Sequence, residues 1–259
     1  MTTLTEIIRN FSPTELYSTP SSWLQGRTTY GGLSAALSLQ AVLKLAPSEL
    51  PPLRTAQFSF VGPVANDITF DTQVLRQGKS ATSVAVDCYS AGQIALRSTL
   101  FFGHGRQSNV CHELTARPQV STPDDYGQPL DDTFLPSFFG NFDVRFTNGV
   151  TPVSSAETPE LIAWVKLKDV VGIDPQVVLL AIGDCLPPAA MACFTSPAPI
   201  SSMNWTVDFI NSTKNIGGWF LLRSRSLNAS HGYSHQVMEI WDEDGNLIML
   251  STQTVAIFA

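Results

Sequence analysis

Asp184 ends an otherwise apolar run, Val177-Val-Leu-Leu-Ala-Ile-Gly-Asp184, and a carboxylate in such a setting is the first place to look for chemistry. An ionised carboxyl is costly to bury unless partners compensate. Held back from bulk water, it is a candidate general base that takes a proton from an attacking water. Taken alone, the residue reads as well as a solvated Asp near a helix end. A second feature is Gly31-Gly32 at the head of a long apolar segment. Glycines there let a ligand approach closely, and the free N–H groups and dipole of a helix start suit an oxyanion or a phosphate. Tight packing of the helix onto a sheet accounts for them equally. Ser202 and Gln253, a Ser at a strand start and a Gln on an alternating strand, read on their own as surface residues.

Other patterns fail for specific reasons. Gly32-Leu33-Ser34-Ala35-Ala36 lacks the last glycine of a nucleophile elbow, and an antiparallel meander follows it. Gly103-His104-Gly105 lacks the third glycine of a dinucleotide fingerprint. His104, Cys111 and His112 lie in a Pro-, Gly- and Ser-rich stretch without a second ligand cluster, so no metal or other cofactor is expected. His231 and His235 read as surface or packing residues.

The elements that must position Asp184 and Gly31 come in two similar sets. Gly31 to Ala46 is apolar nearly all round, the mark of a helix buried on most sides. Strand-like runs follow at 55–61, 67–76, 80–89 and 93–102, with Ala91-Gly92 as a turn. The second set has a strand from Pro159 and a helix with Asp174 at its N-cap and Pro175 in its first turn, ended by Pro187-Pro188. Strands at 201–210, 218–226, 233–241 and 247–258 complete it, the last two joined by a turn around Asp244-Gly245. Ser98-Thr99 matches Ser251-Thr252 in distance from its turn, and Gln57-Phe58-Ser59 lines up with Asn204-Trp205-Thr206. This duplication of one helix wrapped by an antiparallel sheet predicts an α+β chain of two units, 1–105 and 135–259, with 106–134 as linker.

Composition removes several function classes. Of 259 residues, 44% are hydrophobic and 14% charged, enough for a large core. The net charge of −7, with 15 scattered basic residues, gives no footprint for nucleic acid. No apolar run is long enough to span a bilayer, since 177–194 is broken by Asp184, Pro187 and Pro188. The opening residues carry Glu6 and no long apolar stretch, so no secretory leader is expected there. Four cysteines without a CxxC pair fit a reduced, cytoplasmic protein. The last strand, Thr252 to Ala259, runs apolar to its end and predicts cover by a second copy, hence a homodimer or larger assembly.

Specific segments resemble the acyl-CoA thioesterase II type. Phe138 with Phe142-Asp143-Val144-Arg145 is similar to that family's "F…FEIR", and Ala163-Trp164-Val165 to its "WLR" strand. Trp23 to Leu37, containing Tyr30-Gly31-Gly32, is similar to the "fGG" segment that opens its first helix. Asp244 to Gln253 resembles "DGxLVASTVQ". The resemblance covers nearly the whole chain outside the linker and implies a tandem, or double, hotdog fold. It implies that Asp184 in Ala181-Ile-Gly-Asp-Cys, Ser202 in Ser202-Met-Asn-Trp and Gln253 jointly hold and activate a water. It also implies that Tyr30, Gly31, Gly32, Asn204 and Trp205 bind substrate, although Asn204-Trp205 stands where the family has Asp-His.

Three functions follow as expectations: hydrolysis of an acyl-CoA or related acyl thioester in lipid metabolism, non-hydrolytic binding of such a thioester, and a hotdog hydratase. The last calls for a His-Asp pair at a helix start, which neither Gly31 nor Asp174 offers.

Overall fold

The computed structural model describes residues 1–46, 48–65, 67–127 and 135–259. Two central helices, α2 (Gly31–Leu45) and α3 (Pro175–Gly183), pack on each other within one antiparallel sheet. A short α1 (Leu4–Asn10) precedes them, closed by a capping box in which Thr3 and Glu6 satisfy each other's backbone N–H groups. The strands are β1 (Tyr17–Ser18), β2 (Leu24–Gln25), β3 (Thr28–Thr29), β4 (Leu53–Phe60), β5 (Asp67–Gln77), β6 (Ala81–Ser90) and β7 (Gln93–Gly103) in the first half. Then come β8 (Phe142–Phe146), β9 (Glu160–Leu167), β10 (Ile200–Phe209), β11 (Phe220–Ser230), β12 (Tyr233–Asp242) and β13 (Leu247–Ile257).

Eleven strands form one sheet in the order β1-β5-β6-β7-β4-β10-β13-β12-β11-β9-β8, while β2 and β3 make a separate hairpin. This is the tandem hotdog arrangement: each half supplies one helix and a run of antiparallel strands, and β4 with β10 joins the halves. At that junction Phe58 faces Trp205, and their rings stack with centroids 5.5 Å apart. The halves interlock elsewhere too: Tyr30 stacks on Phe138 at 4.0 Å and donates its hydroxyl to the Ala181 carbonyl at 2.9 Å.

Three expectations change. The two register matches are not both structural equivalences. Phe58 faces Ser98 across β4 and β7, whereas Ser251 faces Val207, not Trp205, so the two matches disagree by two residues. The second helix stops at Gly183, with Asp184 as its C-cap at φ −100° and ψ 8° rather than inside the helix. Finally, β13 is no edge: it pairs with β10 on one side and β12 on the other, so its backbone needs no second copy for pairing.

The expected linker is more than a tether. Trp164 donates its indole N–H to the Ser121 carbonyl at 3.0 Å, and Arg117 lies over the Trp164 ring at 5.6 Å. Val120 and Tyr126 pack on Ile162, Trp164, Leu221, Trp241 and Leu247, a cluster separate from the main core. Those five large apolar side chains are buried under this cover, none more than 8% exposed.

Candidate active site

One cavity of about 900 Å³ opens where the start of α2, the end of α3 and the start of β10 meet, and Gly31, Asp184, Ser202 and Gln253 all line it. Asp184 reaches it because the helix ends one residue earlier, and the prolines that follow keep the chain from continuing as a helix. Gln253 arrives from β13, on whose inner face it lies between Trp205 of β10 and Gln236 of β12.

A bulge delivers Ser202. Inner-face residues on β10 alternate as Trp205, Val207 and Phe209, so an unbroken pleat would turn Met203 inward and Ser202 outward. The register slips between Ser202 and Asn204: Asn204 faces Thr254, while Ser202 faces the buried Val255. The one-residue insertion puts Ser202 on the cavity side. Among the described residues its hydroxyl has no hydrogen bond to Asp184 or Gln253.

A directed chain of amides holds the carboxylate. The Ala189 N–H donates to Gln236 Oε1 at 2.9 Å, Gln236 Nε2 donates to Gln253 Oε1 at 2.9 Å, and Gln253 Nε2 donates to Asp184 Oδ1 at 2.6 Å. Because the Ala189 N–H can only donate, the orientation of both glutamine amides follows. The other carboxylate oxygen lies against Gly31: a Cβ there would sit 2.6 Å from Asp184 Oδ2. Removal from water pushes the Asp184 carboxyl from 3.8 up to about 7, opposed by the Gln253 bond and the Gly32 backbone N–H. Burial, with Asp184 adding its charge, likewise raises the Tyr30 phenol and the Cys185 thiol, so both stay neutral.

The implied substrate-binding residues separate on this geometry. Gly31 lines the cavity, whereas Tyr30 and Trp205 are fully buried and Gly32 is wedged against the Tyr30 ring. Trp205 supports the site from below, its ring packed so close to Gly183 that a Cβ there would meet it at 3.0 Å. Asn204 is exposed on the outer side, where its Oδ1 accepts the Thr254 N–H at 3.1 Å. Sequence reasoning missed Gln236. The alternation Ser234, Gln236, Met238, Ile240 on β12 was the available signal, since it places a glutamine in an apolar inner row.

The arrangement joins a base whose carboxyl titrates at about 7, and so is ionised above that pH, to an open cavity with largely apolar walls. The start of α2 adds backbone donors: Tyr30 at its N-cap makes no side-chain cap bond to the first turn. None of the four histidines lines the cavity, and no group of metal-binding side chains occurs among the described residues.

A family model for the acyl-CoA thioesterase N-terminal domain matches residues 19–103, and one for the C-terminal domain matches 115–257. A comparison with curated proteins finds no match. Among solved structures, a conserved hotdog protein of unknown function from Alicyclobacillus acidocaldarius superposes with a TM-score of 0.83 at 22% identity, covering 95% of this chain and 97% of that one. The acyl-CoA thioesterase II TesB2 of Mycobacterium marinum gives 0.71 at 18% identity, covering 94% of each. At these identities the structures speak for the fold.

Proposed function

Because the chain belongs to the acyl-CoA thioesterase family, matched in both halves, we propose that it hydrolyses an acyl thioester with a water activated by Asp184. The observation that carries this is a carboxylate with its pKa near neutrality, anchored by Gln253 and facing a large cavity. Asp184 takes a proton from water as the oxygen attacks the thioester carbon. Gln253 first holds the carboxylate, and its second N–H, with the Ser202 hydroxyl, orients the water. Negative charge growing on the carbonyl oxygen falls at the start of α2. The carbonyl re-forms as the carbon–sulfur bond breaks, and the proton held by Asp184 passes to the leaving sulfur, releasing a carboxylic acid and a thiol.

A non-hydrolytic binder was the rival suggested by Asn204-Trp205. Neither residue lines the cavity, so that departure leaves the proposed catalytic group untouched. The cysteine usage and the acyl-thioester substrate support a cytoplasmic place in lipid metabolism, and no described helix is long and apolar enough to cross a membrane. Thiol release from a panel of acyl-CoAs tests the proposal: turnover supports it, and binding without release favours the rival. Ser202→Ala should cost about 10- to 100-fold in kcat alone yet little when added to Asp184→Asn, because groups gripping one water act as a unit. Additive losses would count against a shared water.

A further inference from the structure

We infer that this site selects its substrate by the acyl half of the thioester and holds the thiol carrier by no more than one cation; this rests on the thioesterase reading above. The cavity of about 900 Å³ is walled by Phe60, Val64, Phe138, Phe139, Phe146 and Met191 among others, and among the described residues Asp184 is the one charged residue lining it. Coenzyme A carries several phosphate charges, and beyond the one helix start at this site, which faces the thioester carbonyl in the proposed reaction, holding them calls for lysines or arginines. All 15 Lys and Arg belong to described residues, and none of them lines the cavity.

One cation is near. Arg27 sits exposed in the turn of the β2–β3 hairpin, between Gln25 and Thr28, which both line the cavity, and it makes no ion pair among the described residues. Others are placed elsewhere. Arg54 donates to the Gly103 carbonyl at the far end of β4, six residues from Phe60 and so about 20 Å away at roughly 3.3 Å per residue. Arg223 and Arg225 are bound to Glu160 and Glu239. A lone exposed guanidinium contributes little in salt water, whereas burial of an acyl chain against these walls grows with every methylene.

The experiment compares kcat/KM for one acyl group carried on coenzyme A, on pantetheine and on N-acetylcysteamine, the acyl group being the best from a coenzyme A panel. The three values should agree within about tenfold, the range open to one exposed ionic contact, and should differ less than values along the acyl panel. Arg27→Ala should lower the coenzyme A value toward that of the N-acetylcysteamine ester. A loss of more than tenfold on removing the nucleotide, with the coenzyme A ester still hydrolysed, overturns the inference and leaves the thioesterase reading intact. Failure to hydrolyse any of the three overturns both.

Discussion

Asp184 faces two opposing demands, since burial favours its neutral form and catalysis needs it ionised. With the carboxyl pushed up to about 7, kcat/KM should rise as pH increases through that value and fall on the acid side, as a pH profile would show. Asp184→Asn keeps the shape and removes the proton acceptor, so kcat should drop by about two to four orders of magnitude with KM little changed. Stability should move the other way. The folded-state value is raised above the unfolded one, so the folded protein binds the extra proton between pH 3.8 and about 7. Stability is therefore greatest on this account below pH 3.8, declines as pH rises through the window, and is lowest above 7. Asp184→Asn should then melt higher than wild type at pH 8, by an upper bound of about 4 kcal/mol at about 1.4 kcal/mol per pH unit, with the gap closing at pH 4. Equal melting curves at both pH values would mean that burial does not penalise this carboxylate. Gln236 acts one bond further out. Gln236→Leu leaves the Ala189 N–H and Gln253 Oε1 without their partners, at a cost of about 1–3 kcal/mol for each buried group left unsatisfied. Urea denaturation should show that loss, and kcat should fall about tenfold because Gln253 is no longer held. Unchanged kcat would show that Gln253 needs no such support.

Among the elements, the start of α2 is where space is most tightly allotted. Alanine is ordinarily the better helix residue, yet at Gly31 its methyl would meet Asp184 Oδ2 at 2.6 Å and the Phe60 ring at 3.3 Å. Gly31→Ala should therefore lower kcat by at least about tenfold, by displacing the carboxylate from its water, while circular dichroism reports an intact fold. Full activity in that variant would show that Asp184 can shift without loss. The bulge in β10 has a similar place in the site. A single extra residue, Met203, decides whether Ser202 faces the cavity or solvent, without any change in the residues on either side.

Across the whole molecule, β4 and β10 carry the junction. Phe58 is 1% exposed and Trp205 0%, and the two stack across the join. Phe58→Ala should destabilise the protein by about 3–5 kcal/mol. Since one sheet, the Tyr30–Phe138 stack and the Tyr30–Ala181 hydrogen bond all bridge the halves, calorimetry should show a single transition in wild type and variant alike. Two separated transitions would show that the halves fold independently. The outer cluster around Trp164 and Trp241 joins the segment between the halves to this same unit.

Patterning alone revealed the two wrapped helices and nearly every long strand, because burial on one face imposes a period of two on strands and an apolar circumference on a fully enclosed helix. Asp184 stood out for the same reason, as a charge in an apolar run, and its family motif led to Ser202 and Gln253. The capping box of α1 is also legible in the sequence, in the Thr3-x-x-Glu6 spacing. Which side each side chain faces was another matter. The β10 bulge, the inward row of Trp205, Gln253 and Gln236, the burial of Tyr30, and the place of β13 between β10 and β12 all arise from pairing between residues far apart in the chain. Such pairing is set by the balance of many distant contacts, so local spacing can name the groups that do the chemistry, but only the folded sheet brings them to one cavity and sets the charge of its carboxylate.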